Sequence, residues 1–330
     1  MSYIQQLAFL YSAFCDKGIS CTHNEILAHH TTFHIGGLAS LTAWPSSRTE
    51  LIQVLSLWRE VSDSCPICVI GNGSNVLFPD QGYHGLVVIT SRANRVVFEE
   101  DEAQSRAEFR NDHIYCQAYA ECGASLTKLA DACADRALSG LEFAYGIPGT
   151  IGGATVMNAG AYGSDMERVL VAAEHYDLDS GEVVRLTDRE MNLDYRHSIY
   201  QDHPRWILLS VVITLSYGDA ADIRKRMNDN MASRMDKQPL EYPSAGYVFK
   251  RPVDNFAGRM IENAGLRGYS VGGAQVSEKH TGFIVNRGGA TAKDVIALIR
   301  YIQDEVEKIY HHRLEYELKM MTDDSESDQE

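Results

Sequence analysis

Between Gly140 and Gly163 the chain reads GLEFAYGIPGTIGGATVMNAGAYG, a stretch of 24 residues in which seven are glycine and the one proline is Pro148. Few conformations suit such a segment other than close turns, because glycine without a Cβ reaches positive φ and lets main-chain N–H groups approach a neighbour. Gly146, Gly149, Gly152 and Gly153, with Thr150 among them, therefore suit a loop wrapped around a phosphate or pyrophosphate. Glycine content alone leaves a second reading open, a buried turn whose glycines serve only close packing.

A chain of 330 residues has room for roughly two domains with cores of their own. Its 30 Lys+Arg against 45 Asp+Glu give a net charge of −15, and that mean field repels nucleic acid and anionic membrane. An anionic substrate would accordingly need a local cluster of Arg and Lys. Part of the acidity sits in the polar runs Glu99 to Glu102 and Thr322 to Glu330, read as solvated or disordered. Seven cysteines at irregular spacing make no disulfide framework, and Cys65 with Cys68 form a single CxxC lacking the second pair that zinc would want, so no metal is expected. Without a cationic, apolar leader or an apolar run near ~18 residues, the expected location is cytoplasmic.

Taken in order, Ile4, Leu7, Ala8, Tyr11 and Phe14 recur at helical spacing. Thr31 to Gly37 reads as a turn feeding a strand over Leu38 to Trp44. Ser47 and Glu50 form a capping-box pattern ahead of Leu51, Val54, Leu55 and Trp58. A strand over Ile67 to Ile70 then runs into Gly71-Asn72-Gly73-Ser74-Asn75, a second glycine turn able to cradle an anion. Strands are expected at Val87 to Ile89, Arg95 to Phe98 and Ile114 to Ala118, with an insertion over Glu99 to Asp112. A helix follows at Leu126 to Ala137. Asp179-Ser180-Gly181 signals a hairpin, Trp206 to Leu215 a buried strand, and Asp222 to Met235 a helix. Thr291 and Asp294 cap a last helix whose core stripe is Val295, Leu298, Ile299, Ile302, Val306 and Ile309. Leu314, Tyr316 and Leu318 alternate with Glu315 and Glu317, which puts both glutamates on one face of a strand, the solvent face by default.

The segments TTFHIGG, GNGSNVL, GLEFAYGIPGTIGGATVMNAGAYG, YRHSIY, PSAGYVFKRP, SEKHTGFIVN and LEYEL stand in the order in which similar segments occur in UDP-N-acetylenolpyruvoylglucosamine reductases. The chain resembles that family over about residues 30 to 320, in its second-type motif pattern. The resemblance implies an α+β fold: a two-part FAD-binding domain of the vanillyl-alcohol-oxidase (PCMH) type over residues 1–220, a C-terminal α+β substrate-binding domain over 221–320, and an acidic tail over 321–330. It also implies non-covalent FAD, NADPH as co-substrate and a UDP-sugar enolpyruvate as substrate; with the charge balance, neither nucleic acid nor membrane is expected as partner, and the oligomeric state stays open, a monomer being favoured. The reaction implied is reduction of UDP-N-acetylglucosamine enolpyruvate to UDP-N-acetylmuramate.

Carried over position by position, the cofactor residues are Thr32, Gly71, Asn72, Gly73, Ser74 and Asn75, then Gly146, Pro148, Gly149, Thr150, Gly152 and Gly153, then Asn158, Ala159 and Gly160. The backbone N–H groups of Gly71 to Asn75 and of Gly149 to Gly153 are expected to hold the pyrophosphate. Lys250, Arg259, Lys279, His280 and Asn286 are the expected substrate residues. Arg196 and Glu317 are implied to stabilise an enol-like intermediate, and position 247 to donate the proton. The family has serine there, sometimes cysteine, whereas this chain has Tyr247. A phenol with an ordinary pKa near 10 is able to donate, yet its oxygen lies farther from the backbone than a serine hydroxyl. Two alternatives stay open: a reductase with Tyr247 as donor, or an FAD-binding homologue inactive in this reaction or repurposed to another substrate, in which Tyr247 stands as a block.

Overall fold

The computed structural model describes residues 2–61, 65–99 and 115–322. Of the expected insertion over Glu99 to Asp112, residues 100–112 lie outside the described residues, as do Ile114 at the start of the next expected strand and 323–330 of the acidic tail expected over 321–330. Helix α1 (Tyr3–Asp16) starts from a Ser2/Gln5 capping box. Its buried side is Gln6, Leu7, Leu10 and Phe14, while Ile4 and Tyr11 of the expected stripe face solvent. Strand β1 (Ser20–Ile26) returns antiparallel to β2 (Leu38–Trp44). Then come α2 (Arg48–Arg59), β3 (Ile67–Ile70), the short β4 (Val76–Leu77) and β5 (Tyr83–Ile89). Parallel pairing of β5 with both β2 and β3 completes a four-stranded sheet in the order β1-β2-β5-β3.

Apolar runs such as Leu86 to Ile89 are explained by burial on both faces. Leu7, Leu10 and Phe14 join Leu51, Val54, Leu55 and Trp58 over Leu41, Leu86 and Val88, and Leu27, Phe78 and Tyr83 close the other side over Val87 and Ile89. Ser47 caps α2 by accepting from Glu50 N, but the Glu50 carboxylate turns to Ser46, taking its N–H and its hydroxyl at 2.8 Å each, so half of the expected capping box is used.

The second unit contains β6 (Val96–Glu99), β7 (Tyr115–Glu121), α3 (Leu126–Ala134), β8 (Leu138–Ser139), α4 (Ile151–Val156), β9 (Gly160–Ala161) and β10 (Ser164–Asp165). It continues with β11 (Leu170–Asp177), β12 (Val183–Thr187), α5 (Ile199–Asp202), β13 (Trp206–Tyr217) and α6 (Ala220–Lys237). Its sheet is antiparallel in the order β12-β11-β13-β7-β6, with the twelve-residue β13 at the centre and β8 paired to its end. Helix α3 stops at Ala134, short of the expected Ala137, which adopts a left-handed φ of 56°. Helix α6 buries Ile223 and Met227 in this unit's core, so the expected boundary at 220 falls where a helix of the second unit begins.

The third unit is an antiparallel sheet, β14-β17-β16-β15, made of β14 (Ser244–Tyr247), β15 (Ser270–Val271), β16 (Ala274–Val276) and β17 (Phe283–Asn286). Helices α7 (Ala257–Asn263) and α8 (Ala292–Tyr310) pack with it. The Thr291/Asp294 capping box forms, and the stripe from Val295 to Val306 is buried, but Ile309 at its end is 52% exposed. Asp80 from the first unit adds a second cap, accepting from Ala292 N at 2.7 Å and Lys293 N at 3.1 Å. The chain then returns: β18 (Lys319–Met320) pairs parallel with β4, and Phe33, Ile35 and Leu77 of the first unit belong to the same core as α8.

Candidate active site

Two cavities open where the three units meet, one of about 870 Å³ and one of about 970 Å³. The smaller is walled by the two glycine turns. Gly71, leaving β3, lies so close to Thr150 that a Cβ there would stand 2.2 Å from Thr150 Oγ1. Asn72 Nδ2 donates to Pro148 O at 2.9 Å and ties the turns together. Gly73 sits at φ +59°, and a Cβ there would come within 2.2 Å of His30 O, which only glycine avoids. Thr150 caps α4 by accepting from Gly153 N at 3.3 Å.

The amides of Asn72, Gly73, Ser74, Gly149 and Thr150 have no acceptor among the described residues and remain available to an anion. Further along the second turn the donors are already used. Ile151 N donates to Ala124 O and Gly152 N to Cys122 O, both at 2.8 Å, so the expected cradle of Gly149 to Gly153 narrows to its first two residues. Two groups missed in the sequence also wall this cavity: Arg234, 8% exposed, which gives Nη1 to Gln238 Oε1 at 3.0 Å while its Nε has no partner among the described residues, and Tyr200, whose buried hydroxyl has none among them either. Burial pulls the Arg234 guanidinium below its ordinary value, with no carboxylate paired to it among the described residues. Free turn amides, a buried cation lacking an anion and an orphaned hydroxyl together fit an anionic, polar-headed cofactor such as FAD.

Thr32, Gly146, Pro148, Ala159 and Gly160 also line this cavity. The Thr32 hydroxyl, however, donates to Ser244 O at 2.7 Å, while its N–H goes to Gly73 O and its carbonyl takes Ser244 N, so Thr32 registers β14 against the phosphate turn. Asn158 corrects the expectation. Its amide is held by Asp194 O and Glu167 N at 2.9 Å each, it lines the larger cavity, and it supports the loop that carries Arg196.

Arg196 adopts a left-handed φ of 54°, rare for a side-chain-bearing residue. Gln201 Nε2 holds its carbonyl at 2.8 Å, and Lys319 in turn donates to Gln201 Oε1 at 2.8 Å. The Arg196 side chain gives Nη2 to Gly160 O and Nε to Glu317 Oε1, both at 3.0 Å. Glu317 is not on the solvent face expected of it. Residues 315 to 317 form a single bridge to Phe249 rather than a regular strand, and while Glu315 reaches out to Lys250, the Glu317 side chain is only 14% exposed. Burial pushes its carboxyl above the ordinary glutamate value, with Arg196 opposing.

Tyr247 ends β14 and sets its hydroxyl 3.1 Å from His280 Nε2. Gly160, Ala161, Arg196, Gln238, Tyr247 and Glu317 line both cavities, so the three expected catalytic residues form the wall between them.

The larger cavity carries the cation cluster that an acidic chain would need for an anionic substrate. Arg259, Lys279 and His280, expected there, line it beside Lys237, Arg251 and Arg267, which were not. Lys237, Arg251 and Arg259 pair with no carboxylate among the described residues, and Phe256 lies under Arg251 and Arg259 at 4.2 and 5.8 Å. Lys250 and Asn286 line neither cavity. Lys250 is occupied with Glu315, and buried Asn286 is a turn brace, donating to Phe33 O and accepting from Gly288 N and Ala290 N. The nearest sequence signal for Arg251 was its place in PSAGYVFKRP; Arg234, in a polar helix rich in charge, offered none.

Fold and site define a flavoprotein oxidoreductase, with a cavity between two sheets that fits FAD and a third unit beside it. A model of an FAD binding domain matches residues 39–187, and a model described as the C-terminal domain of UDP-N-acetylenolpyruvoylglucosamine reductase matches residues 238–321. The chain is 44% identical over 298 residues to the UDP-N-acetylenolpyruvoylglucosamine reductase of Caldanaerobacter subterraneus subsp. tengcongensis, covering 90% of this chain and 92% of that one. It is 46% identical over 301 residues to that of Agathobacter rectalis, covering 90% and 93%. The crystal structure of the Thermus caldophilus reductase superposes with a TM-score of 0.71 at 31% identity, over 92% of this chain and 98% of that one. The chain belongs to the UDP-N-acetylenolpyruvoylglucosamine reductase family.

Proposed function

We propose that the chain reduces UDP-N-acetylglucosamine enolpyruvate to UDP-N-acetylmuramate at the expense of NADPH, with FAD in the smaller cavity and the nucleotide sugar in the larger. The observation that carries this reading is the shared wall, where Arg196, Glu317 and Tyr247 face both cavities. FAD, when bound, supplies the hydride chemistry; the chain supplies position and field.

The free amides of Asn72 to Ser74 and of Gly149 and Thr150 hold the pyrophosphate, and Arg234 gives the buried end of that cavity a positive charge. Arg251, Arg259, Lys237 and Lys279 meet the diphosphate of the substrate. Arg196, fixed through Nε by Glu317 and through Nη2 by Gly160, presents the rest of its guanidinium to the enolpyruvyl carboxylate. There it stabilises the negative charge that develops when hydride adds to the vinyl carbon, and being already oriented it spends little on reorganisation. Tyr247 donates its phenolic proton to the other carbon.

The test is an anaerobic pair of half-reactions on the purified holoprotein. NADPH should bleach the flavin absorbance, and UDP-N-acetylglucosamine enolpyruvate should restore it. Bleaching by NADPH with no recovery on adding the substrate would defeat the proposal.

A further inference from the structure

We infer that His280 is a positioning residue for proton transfer, which fixes the Tyr247 hydroxyl as an acceptor toward the ring and so leaves its hydrogen for the substrate. The inference rests on the reading of Tyr247 as donor and follows from one contact that settles a direction. Gly282 N donates to His280 Nδ1 at 3.1 Å, so Nδ1 presents its lone pair. A neutral imidazole that accepts at Nδ1 carries its hydrogen on Nε2. Nε2 stands 3.1 Å from Tyr247 Oη, so the ring gives that hydrogen to the phenol oxygen. With one lone pair taken, the phenol cannot spend its own hydrogen on His280 and turns it to the cavity.

The arrangement is held from several sides. Ser277 Oγ accepts from both Lys279 N at 3.1 Å and His280 N at 3.2 Å, which fixes the backbone that bears the ring. The Tyr247 ring meets His280 edge-on at 5.0 Å between centroids and leans on Phe283 at 4.7 Å. Gly282 has no Cβ, which would otherwise approach Tyr247 Cδ1 and His280 Cε1 to 3.1 Å each.

The charged and titratable groups around the pair favour the same state. Burial holds the His280 imidazole below its ordinary value against the opposing pull of its own backbone; Arg267 adds to the lowering and Glu262 opposes it, and the net direction favours the neutral ring. Burial also pushes the Tyr247 phenol up; Arg234 and Arg196 oppose, while Tyr162 and Tyr195 add to the rise. The phenol is therefore protonated at neutral pH, as a donor must be.

In the step itself, the Tyr247 O–H bond breaks and its proton forms a C–H bond at the carbon that carries the electron pair left by hydride addition. The phenolate so formed is stabilised by His280 Nε2–H and takes a proton back from solvent, to which Tyr247 is 43% exposed.

The experiment compares the holoprotein with His280→Gln and His280→Leu. Glutamine keeps a donor at the place of Nε2, and leucine removes it. Long-range ¹H–¹⁵N NMR of the parent should show His280 protonated on Nε2 and not on Nδ1. Tyrosine ring-carbon NMR should show the Tyr247 phenol titrating higher in His280→Leu than in the parent, with His280→Gln close to the parent. The substrate half-reaction should slow about 10- to 100-fold in His280→Leu and only a few-fold in His280→Gln, the range for loss of a hydrogen bond to a charged group. Its alkaline limb should move to higher pH in His280→Leu, because a phenolate without its donor forms less readily. A proton on Nδ1, an unmoved Tyr247 titration, or equal rates in the three proteins would overturn the inference. A parent with no substrate half-reaction would instead count against the proposed function, and the two NMR measurements would still decide the direction of the hydrogen bond.

Discussion

Gly71→Ala tests whether the two glycine turns form one interlocked cradle. The added methyl would stand 2.2 Å from Thr150 Oγ1, 2.8 Å from Thr150 Cγ2 and 3.0 Å from Thr150 Cβ, so the Thr150 side chain has to rotate or the turns have to part. Rotation gives up the N-cap bond that Oγ1 accepts from Gly153 N, a loss of ~1 kcal/mol, and any remaining overpacking adds ~1–3 kcal/mol. A total near ~3 kcal/mol is expected from urea denaturation of the apoprotein, together with weaker FAD binding by flavin fluorescence, since Gly149 and Thr150 carry two of the free amides. The diagnostic is the double-mutant cycle with Thr150→Ala. That change removes Oγ1 and Cγ2, the atoms struck hardest, and so takes away both the cap and most of the collision. In its background Gly71→Ala should cost under ~1 kcal/mol more, a coupling of ~2 kcal/mol. If the two costs add to within ~0.5 kcal/mol, the contact does not govern the cradle and the reasoning fails.

Gly152→Val should destabilise the fold and not merely release flavin, because a Cβ there would meet Cys122 Cβ and O at 2.8 Å; a variant with the parent's denaturation midpoint and no FAD would contradict this. Glu317→Gln should lower kcat/KM by ~10²-fold, as Arg196 loses its counter-charge, and should abolish the acid limb that the parent shows as pH falls through the raised Glu317 value. In stability the sign is the reverse: a carboxyl raised on folding binds more protons in the native state, so the parent loses stability as pH rises through that value, and the glutamine variant should show a flatter pH profile of its denaturation midpoint. Arg234→Met should leave the apoprotein as stable as the parent or more so, and weaken FAD binding ~10-fold or more by titration, since a buried unpaired cation is a cost until an anion arrives. Tyr247→Phe should slow the substrate half-reaction ~10²-fold or more in stopped flow; rates equal to the parent, with Tyr247→Ser much faster, would make the ring a block and not a donor.

Local features were legible in the sequence because local physics decides them. Ser47 ahead of Leu51, Val54, Leu55 and Trp58 gives α2, Thr291 with Asp294 gives the start of α8, and the β-branched run from Trp206 gives the central strand β13. The glycine turns were legible as backbone donors, but which amides stay free was not, since Gly152 N is used by Cys122 O from a distant strand end. Glu317 was misread by alternation for a related reason. The residue is not in a regular strand, and its direction is set by Val248 O, which takes its N–H at 2.7 Å, and by Asn75 Nδ2, which donates to its carbonyl at 3.2 Å. Asn286 had the composition of a polar ligand and the surroundings of a turn brace, and only its bond to Phe33 O, across 253 positions, distinguishes the two.

The three expected catalytic residues come from three parts of the chain. Arg196 hangs from a loop of the second unit, Tyr247 ends the first strand of the third, and Glu317 lies on the segment that returns to pair with β4 of the first. Neutral hydrogen bonds to main chain help bring them together: Thr32 bonded to Gly73 and Ser244, Asn75 Nδ2 to the Glu317 carbonyl, Gln201 Nε2 to the Arg196 carbonyl. Neutral hydrogen bonds of this kind are little affected by salt and carry no proton equilibrium near neutral pH, in contrast to surface ion pairs. Charged contacts between units are confined to a few places, Asp80 at the start of α8, Arg196 with Glu317, and Lys319 with Gln201 among them, and the cations of the larger cavity are not needed for them. Arg196 is held by Glu317, Gly160 O and the Tyr195 ring, and Arg251, Arg259 and Lys237, which pair with no carboxylate among the described residues, are left for the ligand. Salt should therefore weaken capture of an anionic substrate well before it disturbs the geometry of the wall that acts on it.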